Sequence, residues 1–325
     1  MSIYRHSNLL GVRVFARANT VVVWWKLAVI AVFVATFFVL AFHPGHFSSA
    51  GGFAPYGAHG VFAAVATAGI AFSYSGFRQG IELVGESRAP QRTVPLTILG
   101  SLAIALVAYL LVQTAFIGAV PEGALRGGWA NLHFSNDFGP LASLSQILGL
   151  TWLAGVLYAD AFISPADTGL IYTTVTARIS YAMGRNRTAP SGLTRTSTRG
   201  LPWISVVLTF LAGLLIFLPF PGWQKLAAFL TAANVVSFGT GPVALLSLRR
   251  ELPEQPRPFR LPSATVLCFL AFYASNLLVY WVGWRTDWKM FVAIGIGYAL
   301  LAAYTVARQG PARHLEPRAF SWMVG

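Results

Sequence analysis

The feature that most limits what this chain can become is a succession of eight apolar stretches, each about as long as the roughly 20 residues a helix needs to cross a hydrocarbon core. They lie near residues 21–42, 61–84, 97–120, 150–183, 203–220, 225–248, 264–283 and 288–307. Water is not a workable solvent for such a surface. Only 10% of the residues are charged and the mean hydropathy is +0.63, whereas an ordinary soluble domain carries roughly 25% charged residues. The pattern predicts an all-α, polytopic membrane protein of about eight transmembrane helices, forming a single domain over residues 1–325. The fourth stretch is long enough to be tilted or broken, and Ser164-Pro165 marks where a break would fall.

Charge placement orients these spans. The net charge of +13 would suit a nucleic-acid surface, but the basic residues sit between apolar runs, which excludes that class. Numbering the connections in order, 18 of the 23 Lys and Arg fall on one side and four on the other, with Arg78 inside a span. Cytoplasmic connections carry the excess of Lys and Arg. A multi-pass protein of the cell membrane with both termini cytoplasmic is therefore expected, which an even number of crossings also requires. No signal peptide is evident ahead of the first stretch. A single cysteine, Cys268, excludes a disulfide framework. The histidines fall in the connections and termini without the spacing of a helical metal site, so neither metal nor other cofactor is expected. No phosphate-cradling loop or nucleophile-and-base arrangement is present, and an enzyme is not indicated.

The informative residues are the polar ones at membrane depth. In the second stretch Arg78 and Glu82 lie among Ser73, Ser75, Gly76 and Gly80. A charge in lipid costs several kcal/mol, so such residues face a bundle interior or a polar cavity. Residues 73–80 are expected to be kinked or unwound, with Phe72, Ser73, Tyr74, Ser75, Gly76 and Arg78 forming a solute site. Arg78 and Glu82, four apart on one helical face, can equally neutralise each other, and the two roles are compatible. Glu86, nearer the span's end, is expected to be solvated. In the fourth stretch Asp160 and Asp167 flank the Ser-Pro pair, and either can carry a coupling proton; alternatively Asp167 caps a helix restarting after Pro165. In the sixth, Asn234, Ser237, Gly239, Thr240 and Gly241 read as close helix packing rather than solute contact.

Four segments carry a family resemblance. Phe72-Ser-Tyr-Ser-Gly-Phe-Arg-Gln79 followed by Gly85-Glu-Ser-Arg-Ala-Pro-Gln-Arg-Thr-Val-Pro95 resembles the sixth helix and exit turn of the amino acid–polyamine–organocation permeases, with Ala89 in place of their common asparagine. Arg178-Ile-Ser-Tyr-Ala-Met-Gly-Arg-Asn-Arg-Thr-Ala-Pro190 resembles the end of their eighth helix. Arg257-Pro-Phe-Arg-Leu-Pro262 is similar to the loop before the eleventh, and Asn8-Leu-Leu-Gly-Val-Arg-Val14 to the turn between the fourth and fifth. The resemblance implies part of a five-plus-five inverted-repeat transporter, helices five to twelve without the first four, moving amino acids with protons or sodium as coupling ion across the lipid bilayer. Some relatives that handle cationic amino acids are acidic where this chain has Arg78, so an anionic substrate is expected. The alternative is an inactive or regulatory membrane fragment of a permease.

Overall fold

The computed structural model describes residues 3–49, 51–66, 69–82, 89–134, 139–197, 202–216, 223–257 and 260–309. Helices and turns account for them, with no strand among the described residues. The helices are α1 (Ile3–Leu40), α2 (Gly57–Ala66), α3 (Ile70–Ser73), α4 (Arg78–Glu82), α5 (Pro90–Ala119), α6 (Pro140–Ile147), α7 (Thr151–Arg185), α8 (Trp203–Ile216), α9 (Trp223–Glu251), α10 (Ala264–Val282) and α11 (Trp284–Gln309). Among the described residues five segments are long and apolar enough to cross a membrane: Asn19–Leu40, Gln91–Ala119, Leu226–Glu251, Ala264–Val282 and Trp284–Ala307. The second expected span is two pieces, Gly57–Ala66 and Ile70–Phe77, bent by 42°. Of the fifth, Trp203–Ile216 is helical and residues 217–220 lie outside the described residues.

Two expectations change. Residues 8–14, which resemble a turn, are helical within α1. α7 runs unbroken through Pro165. Proline removes one helical hydrogen bond, but nearby hydroxyls hold the turn around it. Thr168 Oγ1 donates to the Ser164 carbonyl at 2.8 Å and Ser164 Oγ to Asp160 Oδ1 at 2.6 Å. Neither bond reaches the Ala161 carbonyl, the acceptor that Pro165 leaves without its helical donor; they brace the turns on either side of it. Asp167 consequently sits in mid-helix and caps nothing.

The chain gathers into two compact units: Met1–Gly57, Leu99–Thr176 and Thr196–Leu201 in the first, and Ala58–Ile98, Ala177–Arg195 and Pro202–Gly325 in the second. In the first, Phe33 and Phe37 of α1, with Ala41 just beyond its end, form a four-residue-spaced stripe that packs with Ala115 and Ala119 of α5, Leu144 of α6 and Leu153 of α7. The Phe33 and Phe37 rings lie 4.2 Å apart. Between apolar helices in hydrocarbon, close fit supplies the attraction that water would otherwise supply. Gly118 shows the fit: the Phe42 ring occupies the space where a side chain would begin, and the His43 amide donates to the Gly118 carbonyl at 2.9 Å.

In the second unit α9 is the central post. α10, α11 and α3 all pack against it. Phe229 and Ala232 of α9 bury with Ala66, Val282 and Met290, and Phe62 stacks on Trp281 at 3.9 Å. Gly239 is buried, and a Cβ there would lie 3.6 Å from Ser275 Cβ of α10. That is ordinary van der Waals distance, so α9 and α10 pack closely at Gly239 without the glycine being required.

Candidate functional site

The interrupted second span is built from residues that cannot hold a regular helix. Gly69 adopts φ 96°, a left-handed conformation that glycine takes without the penalty a Cβ brings. α3 then lasts one turn, residues 75–77 tighten into a 3-10 turn, and α4 begins at Arg78. Serine hydroxyls hold the broken backbone. Ser73 Oγ donates to the Gly69 carbonyl at 2.9 Å, and buried Ser75 Oγ to the Phe72 carbonyl at 2.6 Å. Phe72 and Tyr74 are half-buried, and Gly76 is exposed.

Arg78 is held from α9. Its Nη1 donates to Asn234 Oδ1 at 2.9 Å, and its guanidinium carbon lies 5.8 Å from the Phe238 ring centroid. Phe77 packs on the same ring at 5.1 Å. Asn234 and Phe238 are one helical turn apart, so α9 presents an amide and an aromatic face to one cation. The packing reading of residues 234–241 passed over Asn234, whose pairing with Arg78 the fold alone reveals. The Glu82 backbone closes α4, but its side chain and all of Glu86 lie outside the described residues, and with them the 78–82 pair. Gln79 Oε1 is buried without a hydrogen-bond partner among the described residues. A groove of about 1000 Å³ runs between α9 and α10 beside this seat, lined by Val235, Gly239, Thr240 and Asn276 among others.

The carboxylates of α7 belong to the other unit and meet α1. Trp25 Nε1 donates to Asp160 Oδ1 at 3.0 Å, the oxygen that also accepts from Ser164. One residue along α1 and two turns along α7, Lys26 Nζ stands 3.7 Å from Asp167 Oδ2 and 3.4 Å from Thr168 Oγ1. Asp167 is buried, whereas the Lys26 side chain keeps 30% exposure. Lys26, one of the 18 basic residues on the richer side of the sequence count, is thus the counterion of a buried acid.

A family model described as amino acid permease matches residues 2–301. The chain belongs to the amino acid permease family. The permease is 33% identical over 323 residues to the glutamate/serine transporter AimA of Bacillus subtilis, an alignment covering 99% of this chain and 59% of that protein. It is 31% identical over 281 residues to the aspartate-proton symporter of the same organism, with 86% of this chain and 53% of the relative covered. A branched-chain amino acid permease, BcaP, also of Bacillus subtilis, is 25% identical over 301 residues, 91% of this chain and 60% of its own length. The permease therefore spans somewhat over half the length of these relatives. Its family is one of transporters, not enzymes, and its five apolar spans make it a multi-pass membrane protein.

Proposed function

We propose that this permease transports acidic amino acids across the cell membrane, with Arg78 receiving the substrate's side-chain carboxylate. The observation that carries the proposal is a guanidinium seated by Asn234 and Phe238 inside an interrupted membrane helix. Its planar fork matches a carboxylate in geometry and charge. Phe72, Ser73, Tyr74, Ser75 and Gly76 are the proposed remainder of the solute site. The glutamate and aspartate in the names of two relatives support this substrate class.

Protons are the proposed coupling ion, in keeping with the aspartate-proton symporter among the relatives. Asp160 and Asp167 on α7, with Glu82, are the proposed coupling or gating acids. Nothing in the geometry favours an inactive fragment, since the broken span and both acids are built into packed helices. Uptake of radiolabelled substrate by cells making the protein from its full natural reading frame tests the assignment. Removing a charge-assisted contact of about 1.5–3 kcal/mol lowers affinity roughly 10- to 100-fold. Arg78→Ala should lower aspartate and glutamate uptake by that factor while sparing serine, and Arg78→Lys should recover part of it. Unchanged aspartate and glutamate uptake in Arg78→Ala would refute the acidic substrate; a strict sodium requirement would replace the proton.

A further inference from the structure

A second cavity, of about 550 Å³, lies where two membrane spans end. Val94 and Pro95 in the first turns of α5 line it together with Leu245 and Arg249 in the last turns of α9, and Arg257 of the following connection completes that end. Its chemistry is graded along the span. Leu245 sits one turn farther into α9 than Arg249, about 6 Å toward the hydrocarbon, so an apolar trough leads out to a cationic rim.

The two rim arginines differ in what they hold. Arg257 gives Nη1 to the carbonyls of Pro253 and Gln255 and Nη2 to those of Leu248 and Leu252, which fastens the end of α9. Arg249 makes one long bond, Nη2 to the Leu261 carbonyl at 3.3 Å, while its Nε is buried with no hydrogen-bond partner among the described residues. A buried donor without an acceptor is costly, and more so on a charged group. In the sequence next to the lining residues Arg92, Arg250 and Arg260 outnumber Glu251 and Glu254, and Glu251 is engaged by the Ser247 hydroxyl at 3.1 Å beside the other groove.

We propose that this groove binds one anionic phospholipid, its headgroup phosphate on Arg249 and an acyl chain along Val94, Pro95 and Leu245. The position fits, because lipid phosphates lie at the level where spans leave the hydrocarbon, and basic pockets between membrane helices recognise them there. A soluble anion would satisfy the arginine and leave the apolar walls unmatched.

The test is the thermal midpoint of the purified full-length protein in a neutral detergent, with phosphatidylglycerol, phosphatidylcholine or free glycerol 3-phosphate added. Phosphatidylglycerol should raise the midpoint by several degrees more than phosphatidylcholine, and glycerol 3-phosphate should leave it unmoved. Arg249→Gln should abolish the difference. Val94→Trp, which fills the trough without changing charge, should abolish it too, whereas Arg250→Gln, an equal loss of charge outside the groove, should retain it. Equal shifts from the two lipids, equal losses in Arg249→Gln and Arg250→Gln, a full shift from glycerol 3-phosphate, or a selective shift that survives Val94→Trp would each overturn the proposal.

Discussion

Asp167 and Lys26 form an ion pair between α7 and α1, and the energetics of such pairs lie in the partner left behind. Breaking a fully buried pair costs about 3–5 kcal/mol, because one charge stays in a low-dielectric setting uncompensated. Lys26 keeps part of its surface exposed, so Lys26→Met should cost less, on the order of 2 kcal/mol. Asp167→Asn in the same chain should restore most of it, as read from thermal unfolding of the purified variants. No recovery in the double variant would mean that Asp167 is neutralised by something other than Lys26. Arg78 could be picked out from sequence because a charge within an apolar run has no cheap explanation. Asn234 could not: a carboxamide among glycines and threonines suits helix packing as well as it suits a cation, and only the fold shows it opposite Arg78. Lys26 escaped for the complementary reason, since a lysine near the start of a span satisfies the topology count whatever else it does.

Among the elements, the contact of α1 with α5 is the most exacting. Gly118 leaves no room for a side chain against the Phe42 ring, and Phe42 is itself stacked on Phe38 at 4.7 Å. Overpacking of this kind costs typically 1–3 kcal/mol. Gly118→Ala should lower thermal stability by about that amount, and Gly118→Ala with Phe42→Leu should regain part of it; a neutral Gly118→Ala would show that the ring turns aside freely. The break in the second span was legible because Gly69, Ser73, Ser75 and Gly76 withhold helix propensity where an apolar run should continue. The continuity of α7 was not, because the serine and threonine that support the turn around Pro165 act through hydroxyl geometry that residue identities do not specify. The turn resemblance at residues 8–14 failed similarly: a motif names a local likeness, and the chain around it extended α1 instead.

For the whole molecule, the alternation of basic and sparsely charged connections proposes that both termini are cytoplasmic. A green fluorescent protein fused after Gly325 should fluoresce, and alkaline phosphatase inserted at Gly52 should be active outside the cell; the reverse pair of results would invert the molecule. The all-α, membrane-embedded class followed directly from the apolar runs, whereas the division into two units did not, since segments far apart in sequence share each one. One feature of α5 reaches beyond any single contact. None of the residues in its most apolar stretch is buried within the chain, and Leu99, Ile104, Val107 and Leu110 stand 58–68% exposed. Whatever covers this face, a further segment of the protein or the surrounding amphiphile, is thus a structural neighbour in its own right. Melting temperatures of variants are therefore comparable only within one amphiphile at fixed composition, and exchanging the detergent is, for this helix, equivalent to mutating every residue it touches.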